Sequence, residues 1–341
     1  MKNSKLKIFK IKKNQIDELK LFIKKYYNKN HIFLRKPFLI DWFHKDKRNY
    51  NFYIAKLEKE IIGFQCFIRN SIFDGFLKNS KNETIFLADW KVRENQFPGI
   101  GVKLFKEIQE KEKVKNLCVI NFNKRLIKYH KWQGFNVGKM NHYVFISKHK
   151  KKYKIIKLND FNTNRLKFKR IDKIKSEIVN EKKIRNLNNK IFQNQIPLKS
   201  KNYLINKYLK CSFFKYFIYS INSGNKKILI VFRKIKYKNS NILRIVDIIG
   251  NFNNFFKLYN FFDFIVKKFN SEFIELYNYG LKKTMLSSCG FINLEKTNII
   301  APSHFYPYEN KNIDIYLGYK TKTKKLRLLL GDGDFERPSS S

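Results

Sequence analysis

Asp89-Trp90-Lys91-Val92-Arg93-Glu94-Asn95-Gln96-Phe97-Pro98-Gly99-Ile100-Gly101-Val102-Lys103-Leu104 is the stretch that decides how this chain folds. Upstream, Ile85 to Val92 reads as a strand; downstream, Val102, Leu104, Phe105 and Ile108 recur at helical spacing. Between them stands Gln-x-x-Gly-x-Gly. Glycines at such a junction let backbone N–H groups approach a pyrophosphate closely, and the N-terminus of the following helix adds partial positive charge at the same spot. Alone, a glycine triplet before a helix is ordinary turn chemistry.

A second segment gives the first its meaning. Asn123-Lys124-Arg125-Leu126-Ile127-Lys128-Tyr129-His130-Lys131-Trp132-Gln133-Gly134-Phe135 follows a strand at Leu117–Phe122, opens a helix at a cap-competent Asn and closes it at a Gly suited to the left-handed position. Together the two segments resemble the GNAT superfamily of N-acyltransferases. The resemblance implies acetyl-CoA as cosubstrate, with the pyrophosphate on backbone amides around Gln96, Gly99, Ile100 and Gly101. It also implies that the strand edge near Trp90 and Val92 aligns the pantetheine and that Asn123 contacts it.

Two departures from the family pattern bear on chemistry. The Tyr that protonates the leaving thiolate stands four residues before the Gly; here that position is His130, with Tyr129 one residue earlier, and both are candidate acids. Pro98 has no N–H, which leaves the cradle one donor short. A base must take the proton of an attacking ammonium. Asp89, at the end of the central strand, is the first candidate and Glu83, at its start, the second; either also suits a plain strand cap.

Outward from this core, residues 1–147 alternate strand-like and helix-like segments, an α/β pattern with a mixed sheet. Ile16, Leu19, Phe22, Ile23 and Tyr26 mark an early amphipathic helix, residues 51–57 and 60–69 a hairpin, and Tyr143–Ile146 the last strand of this domain. The lysines from Lys148 to Lys157 read as a connector, and residues 148–200 as a basic, helical linker. From 201 to 341 the order strand, turn, helix, strand, helix, Gly-Phe recurs, with Phe256, Leu258, Phe261, Phe264 and Ile265 on one helix face, which points to internal duplication. No Gly-x-Gly follows Leu243–Gly250, and Leu286 stands where an acid would be needed before Gly290-Phe291, so the second copy is expected not to bind CoA.

The expected architecture is therefore two tandem GNAT-like domains, similar to the Fem-type aminoacyltransferases in arrangement. The strings Gly138–Tyr143, Leu198–Lys201, Arg244–Gly250 and Gly331–Ser339 resemble two-domain acetyltransferase-like proteins of bacterial surface-polysaccharide loci. That resemblance implies a nucleotide-linked amino sugar as acceptor. Asp332, Asp334, Glu336 and Arg337 concentrate charge that could bind an amine or order against the acceptor pocket, but Gly331-Asp332-Gly333-Asp334 reads first as a surface turn.

Composition narrows the remaining classes. The net charge is +46, yet only 12 of the 73 basic residues are Arg and the lysines spread from Lys2 to Lys325 without forming one arm, so nucleic acid is not the expected partner. The field would draw anionic substrates or an anionic membrane surface in peripheral contact. Cys66, Cys118, Cys211 and Cys289 are too far apart for a zinc motif, and no metal is expected. No stretch reaches the length of a membrane span, and a cytoplasmic location is expected.

Overall fold

The computed structural model describes residues 6–47, 49–94, 98–113, 115–162, 175–192, 195–223, 226–237, 239–250, 258–302, 309–323 and 325–338. The chain forms two compact units: residues 1–136 with 318–322 and 333–341, and residues 137–317 with 323–332.

The first unit is built on β1 (Leu6–Lys12), β2 (Lys45–Asp46), β3 (Asn49–Leu57), β4 (Glu60–Arg69), β5 (Thr84–Val92) and β6 (Asn116–Phe122). Its sheet runs β1-β3-β4-β5-β6 and continues through β15 (Tyr316–Lys320) and β7 (Asn136–Lys139), with β2 on β3. β1, β3, β4 and β5 pair antiparallel, while β5 and β6 are parallel. β3 is buried from Tyr50 to Ala55 and β4 from Ile61 to Arg69, mostly apolar runs of the kind found in strands covered on both faces. The loop of the hairpin between them is Glu58-Lys59, with Glu58 at φ 55°, the conformation that tight hairpins use.

Helix α1 (Ile16–Tyr26) buries Ile16, Leu19, Phe22 and Ile23, and α2 (Ile32–Arg35) and α3 (Phe38–His44) follow it. Each buried side chain of that kind contributes roughly 1.5–3 kcal/mol. α4 (Ile100–Glu112) buries Leu104, Phe105 and Ile108 as its spacing predicts, while Val102 is half-buried. α5 (Ile127–Trp132) completes the unit.

The second unit has its own mixed sheet, ordered β14-β8-β13-β12-β11-β10-β9 with β16 on β13. The strands are β8 (Asn141–Ile146), β9 (Ser176–Ile178), β10 (Tyr216–Ser223), β11 (Lys226–Tyr237), β12 (Ser240–Gly250), β13 (Phe273–Tyr279), β14 (Ile292–Asn293) and β16 (Leu328–Leu329). α6 (Glu181–Arg185), α7 (Lys201–Leu204), α8 (Tyr259–Lys268) and α9 (Lys283–Ser288) accompany them. α8 packs Phe261, Phe262, Ile265 and Val266 into the core with Leu258. Phe264, expected on that face, is 50% exposed, because the buried stripe follows Phe261–Phe262 and a helix step of two residues turns Phe264 away; Phe256 lies outside the described residues.

β8 is a strand as read, but it hydrogen-bonds in the second sheet, antiparallel to β13 from Asn141 to Ile146 and beside β14. Two parallel-paired central strands, one per sheet, match the expected duplication: β5 with β6 and β12 with β13.

Candidate functional site

In the first unit β5 and β6 pair only from Thr84↔Asn116 to Leu87↔Val119. Beyond that point β5 continues to Val92 and β6 to Phe122 without pairing to each other. The parting coincides with a bulge on β5: Phe67 faces Leu87 and Gln65 faces Trp90, so Ala88 and Asp89 together oppose Cys66. Strands that separate at their carboxyl ends leave the crevice in which parallel sheets take ligands.

α4 starts at the mouth of this wedge. Its cap, Gly99, has φ 86°, and a Cβ there would meet nothing within 4 Å, so the glycine serves the backbone and its face is open. Lys103 N–H donates to Gly99 O at 3.0 Å. The N–H groups of Ile100, Gly101 and Val102 lie ahead of that first helical bond, as first-turn donors do, and no acidic residue stands in the first turn to occupy them. Ile100 itself is buried. Gln96, with Asn95 and Phe97, lies outside the described residues.

Gly101 has a different reason to be glycine. A Cβ there would stand 2.1 Å from Trp90 Cζ2 and 2.7 Å from Cε2. The indole lies on the glycine and stacks on Tyr129, with ring centroids 5.2 Å apart and planes at 29°. Trp90 Nε1 is buried without a hydrogen-bond partner among the described residues. Val92, farther along β5, packs against Gly63.

Of the two candidate acids, the structure stacks Tyr129 on Trp90 and turns His130 into an aromatic cluster. His130 is 5% exposed, with Phe122 at 4.4 Å and Phe135 at 5.4 Å between ring centroids. Burial lowers its pKa to about 4, whereas burial raises that of Tyr129 to about 12. Tyr129 therefore carries its proton across the neutral range and His130 carries only one.

His44 behaves like His130: fully buried, bonded to Phe67 O at 3.0 Å, its pKa lowered by burial to about 4. Both imidazoles are neutral when folded and protonate near 6.5 when unfolded, so the stability they reflect is present above pH 6.5 and is lost as pH falls toward 4. Urea titrations at pH 7 and pH 4.5 should show the loss, with His44 contributing about 3 kcal/mol at full protonation of the unfolded state. A His44→Phe chain should show a flatter pH profile.

The candidate bases do not share a site. Glu83 is fully buried, takes Arg69 Nη1 at 2.7 Å and accepts from Ser71 Oγ and Asn79 N. Arg69 also pairs with Glu112, and Glu112 with Lys10 and Tyr53, so this is a buried ion network at the start of β5. Six strand residues, roughly 20 Å, separate it from Asp89.

Asp89 stands in the bulge, with Arg337 Nη1 at 3.0 Å and His31 Nε2 at 3.6 Å. Burial would raise its pKa, but the Arg337 charge, with His31 assisting, outweighs burial and holds the carboxyl well below the usual range. His31 Nδ1 accepts from Phe33 N–H at 3.3 Å, which leaves its own proton on Nε2, facing Asp89. Asn123 caps the turn before α5, accepting from Arg125 N at 3.0 Å.

The acidic tail is not the surface turn that its Gly-Asp pattern suggests. In the first unit Asp334 takes Arg337 Nη1 at 2.6 Å, and Gly333 lies against Phe86 of β5. In the second, Asp332 is fully buried on Lys199. Turn chemistry sets the local bend, while Lys199 and Asp89, far away in sequence, engage Asp332 and Arg337.

The second unit has the same parting of strands and fills it with its own chain. β12 and β13 pair only at Leu243↔Ile274 and Arg244↔Glu275, and Val246 is the extra residue of a bulge opposite β11. β16 adds to β13, and Gly331 N donates to Val246 O at 2.8 Å. A Cβ on Gly331 would stand 2.3 Å from Tyr208 Oη. Leu286 is buried in the core. The segment after Gly250, read as unable to cradle a pyrophosphate, lies outside the described residues.

No family model matches the chain, and no curated protein matches it. Among solved structures it is similar to a GCN5-related N-acetyltransferase from Anabaena variabilis, at TM-score 0.54 and 12% identity over 92% of this chain and 72% of that one. A conserved protein of unknown function from Enterococcus faecalis, described as a probable N-acyltransferase, gives TM-score 0.52 at 12% identity over 92% and 72%. A GCN5-related N-acetyltransferase from Kribbella flavida gives 0.51 at 10% identity over 92% and 70%. The likeness is one of fold: two mixed sheets of GNAT type, spanning most of the chain.

Proposed function

We propose that this chain is an acyl-CoA-dependent N-acyltransferase that moves acetyl from acetyl-CoA to an amine, with a nucleotide-linked amino sugar of surface-polysaccharide synthesis as the acceptor. One observation carries the reading: in the first unit the parallel pair parts at a bulge on β5, the strand that leads into α4, whose first-turn N–H groups have no acidic residue beside them in the first turn. A pyrophosphate held by those amides leaves a thioester-bearing arm free to run along the unpaired edge of β5, whose N–H and C=O groups need partners.

The amine nitrogen then attacks the thioester carbonyl, the C–S bond breaks, and the sulfur leaves as a thiolate that takes a proton. Tyr129 is the donor in this reading, since it keeps its proton at neutral pH and its ring lies against the Trp90–Gly101 contact. Asp89, ionised and held by Arg337, orients the acceptor rather than titrating, and the amine's proton passes to water. The second unit takes no CoA, because residues 328–331 already use the edges that its wedge would offer.

Calorimetric titration with acetyl-CoA at low and high salt tests this. One mole should bind per mole of chain, and Gly99→Glu, which sets a carboxylate at the open face, should weaken binding at least about 100-fold. Salt-tolerant binding lost in the variant supports the reading. No binding, or binding that ignores the variant, would leave a GNAT-fold module without this chemistry; two moles per chain would contradict the filled second wedge.

A further inference from the structure

Arg337 has one edge engaged and one edge open. Its Nη1 donates to both Asp89 Oδ2 at 3.0 Å and Asp334 Oδ2 at 2.6 Å, and the guanidinium carbon lies 5.8 Å from the Phe33 ring centroid. Both carboxylates thus use the same nitrogen. Nε and Nη2 have no partner among the described residues, and the side chain is 27% exposed. The Nε–Nη2 edge is the fork that receives a carboxylate or phosphate through two parallel hydrogen bonds.

The surroundings hold that edge in place. Two carboxylates and an aromatic face fix the guanidinium, so a ligand oxyanion would meet donors already ordered and would not bear the cost of freezing a long side chain. The anchor Asp89 is a bulge residue of β5 just beyond the point where β5 and β6 part, which sets Arg337 at that parting. Tyr27, 38% exposed, continues this surface and lies 4.9 Å from the buried His31 ring. Two carboxylates against one guanidinium leave surplus negative charge for an ammonium, next to a fork for an anion.

We propose that Arg337 reads an oxyanion on the acceptor, so that the substrate class is an amine bearing a phosphate or a carboxylate rather than a neutral amine. This rests on the acyltransferase reading above. Calorimetry on the CoA-saturated chain would compare glucosamine 1-phosphate with glucosamine, and alanine with alaninamide, pairs that differ in the oxyanion. At least one acidic member should bind about tenfold or more tightly than its neutral partner. A preference in the first pair alone assigns a phosphate, in the second alone a carboxylate.

Arg337→Lys keeps the charge between Asp89 and Asp334 but removes the fork, and should shrink the preference to under about threefold while CoA affinity and Tm hold. No preference in either pair, or a preference that survives Arg337→Lys, overturns the proposal. If CoA fails to bind the parent chain, the acyltransferase reading falls by itself, and the same pairs titrated without CoA still decide whether Arg337 takes oxyanions.

Discussion

A Lys199→Met chain should lose about 3–5 kcal/mol of unfolding free energy, the largest effect expected of any single substitution here. Lys199 is fully buried, as are its two counter-ions, Asp247 at 2.6 Å and Asp332 at 3.0 Å. Asp247 also accepts from Tyr208 Oη at 2.8 Å, Asp332 from Leu329 N at 2.8 Å, and Lys207 donates to Tyr203 Oη at 3.0 Å and to Gly331 O. Methionine fills the volume of the lysine stem but leaves two carboxylates facing each other without the ammonium that bridges them. Asp332 already has its pKa raised, by burial first, and losing Lys199 removes the main influence pulling it down. Urea unfolding followed by far-ultraviolet circular dichroism measures the loss. Lys199→Met combined with Asp332→Asn should recover part of it, since one uncompensated charge is gone. A single variant within about 1 kcal/mol of the parent would mean that water, not Lys199, satisfies these carboxylates.

Gly101→Ala should weaken acetyl-CoA binding by about 10- to 100-fold, while Gly99→Ala costs far less. A methyl at Gly101 collides with the Trp90 indole at 2.1 Å, so the ring must leave Tyr129 and swing toward the wedge. Overpacking of this kind costs about 1–3 kcal/mol. At Gly99 the Cβ meets nothing within 4 Å, and the penalty is only that of φ 86° for an L-residue, about 1–2 kcal/mol, felt mainly in stability. The measurement is paired calorimetry with thermal unfolding. Trp90→Ala in the Gly101→Ala background should restore packing, though not the donor at Nε1. If Gly99→Ala proved the more damaging to binding, the indole contact would not be what makes Gly101 necessary.

The two glycines show how much of the site was legible. Gln-x-x-Gly-x-Gly read as one cradle, and of its residues Gly99 and Gly101 stand at the start of the helix after β5. That one glycine answers to a backbone angle and the other to an indole from the strand before it could not be read from spacing. The same holds for Tyr129 and His130. Adjacent positions on a six-residue helix differ by about 100° of rotation, and which of them faces the loop depends on how α5 packs, not on its sequence offset from Gly134.

By itself the sequence determined what local rules determine: strand and helix from apolar periodicity, the anion-ready helix start after β5, the cap at Asn123, and the duplicated order of elements that marks a two-copy α/β chain. Only the tertiary structure decided which sheet received β8, that β15 returned to lie in the first sheet with β6, that the second wedge was filled by residues 328–331, that Asp332 was buried on Lys199 and that Arg337 paired with Asp89. The physical reason is the same in each case. Periodicity and turn chemistry act within a few residues along the chain, whereas an unpaired strand edge or a buried charge is satisfied by whichever partner closes the distance, and Lys199, Asp247 and Asp332 are 48 or more residues apart from one another in sequence.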